Sequence, residues 1–301
     1  MEKYIIETKD INKSYGREQI LFDVSLQVPE GSIYGFLGKN GAGKTTTLKV
    51  ITGLIKYDSG ECKVFDKNIK TDRVEILRNI GAIIESPGFY SNLTAKENLL
   101  LFQSYYGAKD EKRVIECLDI VELHSENKTY EKFSLGMKQR LGIAFTLLNR
   151  PKLLILDEPA NGLDPEGIIK IRELIKRFSS EFGITIIISS HILSEVQQIA
   201  THIGIIDKGK LIRQGRVEDM FNDEIREYTI TVSDINKVKD LVPESKIEAL
   251  KNEIKITCSK EKASQTIKMI LDNNVNVYSM SYNNNLEDLF FNLTSGKTER
   301  Q

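Results

Sequence analysis

One eight-residue stretch constrains this chain more than any other. Gly38-Lys39-Asn40-Gly41-Ala42-Gly43-Lys44-Thr45 fits the pattern GxxxxGK[ST], and the pattern needs a strand before it and a helix after it to close around phosphate groups. Both are predicted here. Ile33-Tyr34-Gly35-Phe36-Leu37 reads as a strand, and Thr45 to Leu54 as a helix. The glycines allow backbone N–H groups to converge on the β- and γ-phosphates of a nucleotide, and the helix N-terminus adds its partial positive charge. Lys44 supplies a point charge, and the Thr45 hydroxyl, followed by Thr46, is a natural Mg²⁺ ligand.

The rest of the chain supplies the sheet that such a loop needs. Leu153-Leu154-Ile155-Leu156 and Ile184 to Ser189 are continuous apolar runs, as expected of strands buried on both faces of a parallel sheet. Asp164-Pro165 opens a helix carrying Ile168, Ile171, Leu174, Ile175 and Phe178 on one face. Strands alternating with helices predict an α/β core. Upstream, Tyr4-Ile5-Ile6 and Leu21 to Val28 read as strands, with a turn at Pro29-Glu30-Gly31. Residues 86–150 read as a mainly helical insert, in which Thr94-Ala95-Lys96-Glu97 is a capping box and Gly107 closes the helix it opens. A charged joint at Asn222-Asp223-Glu224 separates residues 1–222 from a Lys- and Asn-rich segment, 223–301. That segment reads as strand (227–233), helix (235–241), two strands (246–258), helix (260–272), strand (275–282) and helix (285–293), an order that suits a split βαβ, ferredoxin-like module.

Leu156 is followed by Asp157-Glu158. A buried strand would deliver Asp157 to its carboxyl end, where open α/β sheets bind ligands. There Asp157 would hold a Mg²⁺ shell and Glu158 would polarise an attacking water as general base. Between loop and acidic strand stands Phe133-Ser134-Leu135-Gly136-Met137-Lys138-Gln139-Arg140, which resembles the signature sequence of ABC ATPases. Asn161-Gly162-Leu163-Asp164 resembles that family's D-loop, and Ser189-Ser190-His191 its switch-histidine region. Tyr15, in Lys13-Ser14-Tyr15-Gly16, stands where the family places an aromatic residue that stacks on adenine. These elements follow family order over about residues 4–220.

The resemblance implies a P-loop NTPase core with an antiparallel β subdomain and a helical subdomain, plus the small C-terminal α+β module. It implies ATP as substrate and Mg²⁺ as cofactor. It also implies a head-to-tail homodimer, or a pair with a similar subunit, in which Ser134 and Gly136 of one chain bind the γ-phosphate held by the other chain's loop. His191 would contact the γ-phosphate in cis, Asp164 would couple the two sites, and closure on ATP would push on an integral membrane permease. Two positions depart from the commonest family form: Leu135 and Met137 replace Gly and Gln in the signature, and Glu85 stands at the Q-loop position. There Glu85 would serve as a metal ligand or coupling residue, its added negative charge altering the metal site. Glu85-Ser86-Pro87-Gly88-Phe89-Tyr90 together with the signature resembles the bacitracin-export and lantibiotic-immunity branch, whose members power efflux that confers resistance.

Composition narrows the setting. A formal net charge of -1 gives no polyanion-binding surface, so nucleic acid is not an expected partner. Cys62, Cys117 and Cys258 are too far apart for metal-ligand spacing and read as ordinary thiols of a reducing compartment. His124 and His202 lie outside every motif, Tyr105-Tyr106 reads as helix packing, and the charges from Lys109 to Arg113 as a solvated helix start. No stretch approaches the length of a membrane span, so the expected place is cytoplasmic, on the inner face of the membrane through the permease. The competing expectation is a soluble ABC ATPase working in protein or cofactor assembly. Against it stand the single phosphate loop, the short insert without heptads, and the Pro87–Tyr90 stretch.

Overall fold

The computed structural model describes residues 3–85, 88–105, 107, 110–220, 226–242, 246–248, 252–282 and 286–294. Ser86, Pro87, Tyr106, Lys109 and the joint at Asn222–Glu224 lie outside the described residues. The chain divides into two compact units, Met1–Val217 and Glu218–Gln301.

The first unit begins with β1 (Tyr4–Tyr15), β2 (Glu18–Val24), β3 (Gln27–Pro29) and β4 (Ile33–Leu37), followed by α1 (Lys44–Ile51). Next come β5 (Ser59–Val64), β6 (Lys67–Asn68), α2 (Arg73–Leu77) and β7 (Ile80–Ile83). A helical stretch follows, α3 (Ala95–Tyr105), α4 (Glu111–Ile120) and α5 (Leu135–Leu147). The unit ends with β8 (Leu153–Asp157), α6 (Pro165–Phe182), β9 (Thr185–Ser190), α7 (Leu193–Gln197), β10 (His202–Asp207) and β11 (Lys210–Arg216). An antiparallel sheet of order β2-β1-β5-β6, with β3 on β1, stands beside a six-stranded sheet of order β11-β10-β4-β9-β8-β7. In the second sheet the five strands from β10 to β7 run parallel and β11 is antiparallel.

Burial explains which runs became central. Every residue of β4 is buried, as are Leu153 to Leu156 of β8. Burying each such Leu, Ile or Phe side chain is worth about 1.5–3 kcal/mol. These strands therefore occupy the middle of the parallel sheet, and their carboxyl ends share one edge. The strand at 4–6 runs on to Tyr15, and α1 stops three residues short of the expected Leu54. The hairpin of β10 and β11, with β5, β6 and α2, is not among the elements expected from periodicity; these strands are short or mixed in polarity.

The capping box is present. Glu97 Oε2 accepts from the Thr94 N–H at 2.8 Å, and Thr94 Oγ1 accepts from the Glu97 N–H at 3.3 Å. The Thr94 N–H and the Thr94 hydroxyl, each donating to the carboxylate at 2.8 Å, hold the Glu97 carboxyl below its ordinary range. On α6, Asp164 accepts from the Gly167 N–H at 2.9 Å, with Pro165 in the first turn, and Ile171, Ile175 and Phe178 are the buried face. Around α3, Phe89, Phe102, Tyr130 and Phe145 form an aromatic cluster, with Phe102 and Phe145 ring centroids 5.1 Å apart. Tyr105 lies at its margin, 6.2 Å from Phe102.

The second unit contains β12 (Arg226–Val232), α9 (Ile235–Leu241), β13 (Lys246–Glu248), β14 (Glu253–Cys258), α10 (Lys260–Asp272), β15 (Val277–Tyr282) and α11 (Leu286–Thr294), preceded by the one-turn helix α8 (Val217–Met220) at the division. Its antiparallel sheet has the order β13-β14-β12-β15, which is the ferredoxin-like arrangement. Tyr228, Ile230 and Val232 of β12 alternate inward onto Val238, Ala263 and Ile270 of the helices.

Candidate phosphate and metal site

The loop from Gly38 to Gly43 leaves β4 at its carboxyl end and enters α1. Gly43 sits at φ +106°, and a Cβ there would come within 2.8 Å of Leu21 Cδ2. The left-handed turn and the close approach of β2 both require glycine. Ala42 O accepts from the Gly209 N–H at 2.9 Å, while Gly209 O accepts from the Phe22 N–H at 2.9 Å. Gly209 thus ties the loop to β2. Its own φ is +76°, and a Cβ would fall 2.0 Å from Ile20 O. Nothing in the sequence pattern singled out Gly209, although its place after Lys208 in a tight turn is the available signal. Lys39, Asn40 and Gly41 form the exposed crest of the loop, and Thr46 is half-buried.

The Lys44 side chain is buried and curls back over the loop. Its ammonium donates to Gly38 O at 2.6 Å and to Lys39 O at 3.3 Å, and lies 3.1 Å from Glu158 Oε1. The other Glu158 oxygen is 2.7 Å from His191 Nδ1. One carboxylate therefore stands between an ammonium from α1 and an imidazole that follows β9. Next to it, the Thr45 hydroxyl donates to Asp157 Oδ2 at 2.7 Å. These five side chains come from three segments more than 30 residues apart in sequence, and the parallel register brings them together: Asp157 is opposite Ser189, and Leu37 opposite Ser190.

Ser189 is the residue that motif reading did not assign. Fully buried, its hydroxyl donates to Asp157 Oδ1 and accepts from the Glu158 N–H at 2.9 Å. It fixes both acids at once. Glu158 itself is left-handed, φ +48°, a conformation that costs a non-glycine residue about 1–3 kcal/mol and persists only where the surroundings impose it.

The remaining expected residues lie elsewhere. Glu85 follows β7, also left-handed at φ +67°, and its carboxylate is 2.6 Å from Lys49 Nζ. That bond raises the Lys49 ammonium above its ordinary range, opposed by partial burial. Glu85 is thus engaged by α1 rather than by the Thr45–Asp157 pair. Tyr15 ends β1 with half its surface exposed, and the Lys13 ammonium lies 5.2 Å from its ring centroid. Ser134 caps α5, accepting from the Met137 N–H at 3.3 Å. Ser134 and Gly136 line a surface depression with Arg140, Asp164 and Lys170, and no phosphate-loop residue lines it. The structure thus brings Ser134 and Gly136 beside Asp164.

A divalent cation fits the residues present. A hydroxyl and a carboxylate already in contact, the second carboxylate oxygen held by Ser189, are donors of the kind that would suit a Mg²⁺ otherwise ligated by water and phosphate. Among the described residues no group of three or more His, Cys, Asp or Glu side chains is arranged to hold a metal ion by itself, so an all-protein metal cage has no candidate there. The three cysteines are buried and unpaired; burial pushes the Cys62 thiol up to about 12 and Cys117 to about 11. His124 is exposed, 3.7 Å from Asp119, and His202 is buried against Thr201. No described helix is long and apolar enough to cross a membrane.

The chain is similar to known ATP-binding subunits of transporters. Residues 21–161 match the family model described as ABC transporter. The bacitracin transport ATP-binding protein BcrA of Bacillus licheniformis is 43% identical over 98% of both chains. The lantibiotic transport ATP-binding protein SrtF of Streptococcus pyogenes is 45% identical, over 73% of this chain and 97% of its own. Among solved structures, a dimeric post-hydrolysis state of the ATP-binding cassette MJ0796 bound to ADP and Pi superposes with a TM-score of 0.63 at 29% identity, covering 70% of this chain and 98% of that one.

Proposed function

The chain belongs to the ABC transporter family as an ATP-binding, ATP-hydrolysing subunit, and from that premise we propose that it powers export of a peptide antibiotic through a separate membrane permease. The observation that carries the catalytic part is the Glu158 carboxylate suspended between Lys44 and His191, beside the Thr45–Asp157 pair.

In this reading the loop N–H groups and Lys44 bind the β- and γ-phosphates of ATP, and Tyr15 offers a half-exposed ring to adenine. Bound Mg²⁺, held by Thr45 and Asp157, would supply charge neutralisation of the phosphates. Glu158 takes a proton from the attacking water as general base. The Lys44 ammonium beside it is the group that the γ-phosphate would engage, which would free the carboxylate for the water. His191 holds the second carboxylate oxygen and so orients the base.

Among the described residues, the depression shared by Ser134, Gly136 and Asp164 is lined by no residue of the phosphate loop. Their shared depression, with the α5 N-terminus at its edge, offers donors to a γ-phosphate carried by a second chain. A head-to-tail pair of chains is the arrangement that uses them, and the dimeric MJ0796 cassette lends that reading support. A permease would dock by the aromatic cluster after Glu85, where Tyr90 and Tyr105 present exposed rings. Attachment there would put the protein on the inner face of the cell membrane. The relatives BcrA and SrtF, a bacitracin and a lantibiotic transport protein, support bacitracin-like or lantibiotic cargo.

The test uses Glu158→Gln in the native host. The variant chain should co-purify, in mild detergent with ATP, with a multi-span membrane protein and a second copy of itself, and should fail to restore peptide-antibiotic resistance to a deletion strain. Normal ATP turnover by the variant would remove Glu158 from its role. Recovery of soluble partners alone would replace the permease with a soluble assembly.

A further inference from the structure

The C-terminal sheet has two edges, and they are unlike. Strand β13 is three residues long and reads Lys246-Ile247-Glu248, short and charged. Those are the devices by which proteins keep an edge from recruiting another strand. Strand β15 has neither. It runs six residues, Val277-Tyr278-Ser279-Met280-Ser281-Tyr282, without a charge or a proline. Among the described residues it pairs only with β12, so its second side is an open edge. Tyr278 is 68% exposed and Met280 38% exposed.

The sequence of that edge is also self-complementary. Tyr278-Ser279-Met280-Ser281-Tyr282 reads the same in both directions. Two copies of one strand meeting antiparallel about a two-fold axis pair residue i with a fixed partner j, and j with i. Centring the axis on Met280 sets methionine against methionine and Ser279 against Ser281 of the other copy. The register against β12 steps from Thr231–Ser279 to Val232–Val277, so Tyr278 is a bulge residue. The bulge falls at the end of the palindrome and leaves the central three pairings on regular strand.

We propose that the β15 edge pairs antiparallel, centred on Met280, with the same edge of a second copy of this chain. The pairing joins two four-stranded sheets into one of eight strands and covers the exposed Met280. A contact this small is below the usual size of a stable interface and is weak alone. Were two chains also to meet head to tail as proposed above, it would add a second point of association to that pair. The inference does not rest on the proposed export function, because it concerns only the second unit.

Disulfide trapping on the full-length chain, without nucleotide and with EDTA, tests it. Residues directly opposed across antiparallel strands have Cα atoms about 4.5–5.5 Å apart, within disulfide reach, whereas residues two places out of register are about 7–8 Å apart and beyond it. The native cysteines are buried and give a low background. Met280→Cys should form a covalent dimer under mild oxidant about tenfold faster than Leu271→Cys, an exposed position on α10 that serves as the collision control. Ser279→Cys mixed with Ser281→Cys should form the heterodimer, and neither should dimerise alone. Met280→Lys should suppress the mixed cross-link while leaving ATP turnover of the purified chain unchanged. Cross-linking of Met280→Cys no faster than the control, or equal trapping by Ser279→Cys alone, overturns the proposal and leaves the edge to a strand of another protein.

Discussion

Ser189→Ala removes one hydroxyl from a fully buried position, and its effects divide in a way that tests the proposed site. The hydroxyl donates to Asp157 and accepts from the Glu158 N–H. A hydrogen bond to a charged group is worth about 1.5–3 kcal/mol, and a buried N–H left without an acceptor costs about 1–3 kcal/mol. These terms overlap, because Asp157 keeps its bond from Thr45; a net loss of about 2 kcal/mol is expected. For a domain of this size that lowers Tm by about 4–8 °C. More informative is the catalytic split. Glu158 holds its left-handed turn against an intrinsic cost, and the Ser189 bond is one of the contacts that hold it. Losing it displaces the carboxylate from the attack geometry, and about 2 kcal/mol of misplacement is about a thirtyfold fall in kcat. ATP affinity should change by less than about threefold, since the loop and Lys44 are untouched. ATPase kinetics with calorimetric ATP binding separate the two, and Ser189→Thr, which keeps the hydroxyl, should recover most of the turnover. A normal kcat alongside a lowered Tm would show that the hydroxyl only packs the sheet edge.

Lys44→Ala should lose ATP affinity by at least tenfold in equilibrium binding, because the loop loses its only buried ammonium among the described residues; unchanged affinity would defeat the phosphate-loop assignment. Cys62 carries a pH prediction. Its folded pKa, about 12, lies above the ordinary thiol value, so the protonated form is the one the fold favours. Its contribution to stability is complete below about pH 9 and is lost as pH rises toward 12. Thiol titration with a disulfide reagent at pH 8.5 should find Cys62 unreactive until denaturant is added, and prompt reaction of the native protein would contradict the burial. Glu85→Gln leaves the Lys49 ammonium unpaired, and ATP should bind up to about fivefold tighter at low salt, the gain fading at high salt. Affinity unchanged at every ionic strength would make the Glu85–Lys49 pair incidental.

The parts of the fold that sequence conveys are those in which residue type and geometry coincide. The apolar run Leu153 to Leu156 suits a doubly buried strand and is one, and Asp164-Pro165 suits a helix start and makes one. Thr94 and Glu97 exchange the bonds that their spacing anticipates. The ferredoxin-like order of the second unit was legible from its succession of strands and helices, and two of its helices begin at side-chain caps, Asp234 and Ser259. What escaped were contacts made by common residues through distant backbone. Ser189 is one serine of two in an apolar run, and only the register between β8 and β9 sets its hydroxyl against Asp157. Gly209 is an ordinary turn glycine until the turn is seen wedged between Ile20 and Ala42. The β10–β11 hairpin, with glycines in both strands, has no clean alternation to show.

Glu85 looked like an anomaly in the sequence, a carboxylate where an amide is usual. The structure sets it in a pattern that includes Glu158. The neighbouring parallel strands β7 and β8 each lead into a left-handed glutamate, and each of these glutamates meets a lysine of the same helix. Lys44, in the first turn of α1, takes Glu158; Lys49, later in the same helix, takes Glu85. Charge is thereby balanced twice along one edge, so the carboxylate at Glu85 need not add net negative charge beside the phosphates. The two pairs differ in burial. Lys44 and Glu158 are shielded, and their attraction survives salt, whereas Glu85 is 68% exposed and its pair is readily exchanged for water. A phosphate arriving at Lys44 competes with a partner held in place. A ligand or partner arriving at Lys49 competes with one that leaves easily. Of the two glutamates, therefore, Glu158 is the more firmly held, as the general-base role proposed for it requires, and Glu85 is the one whose pairing can change as neighbouring surfaces move.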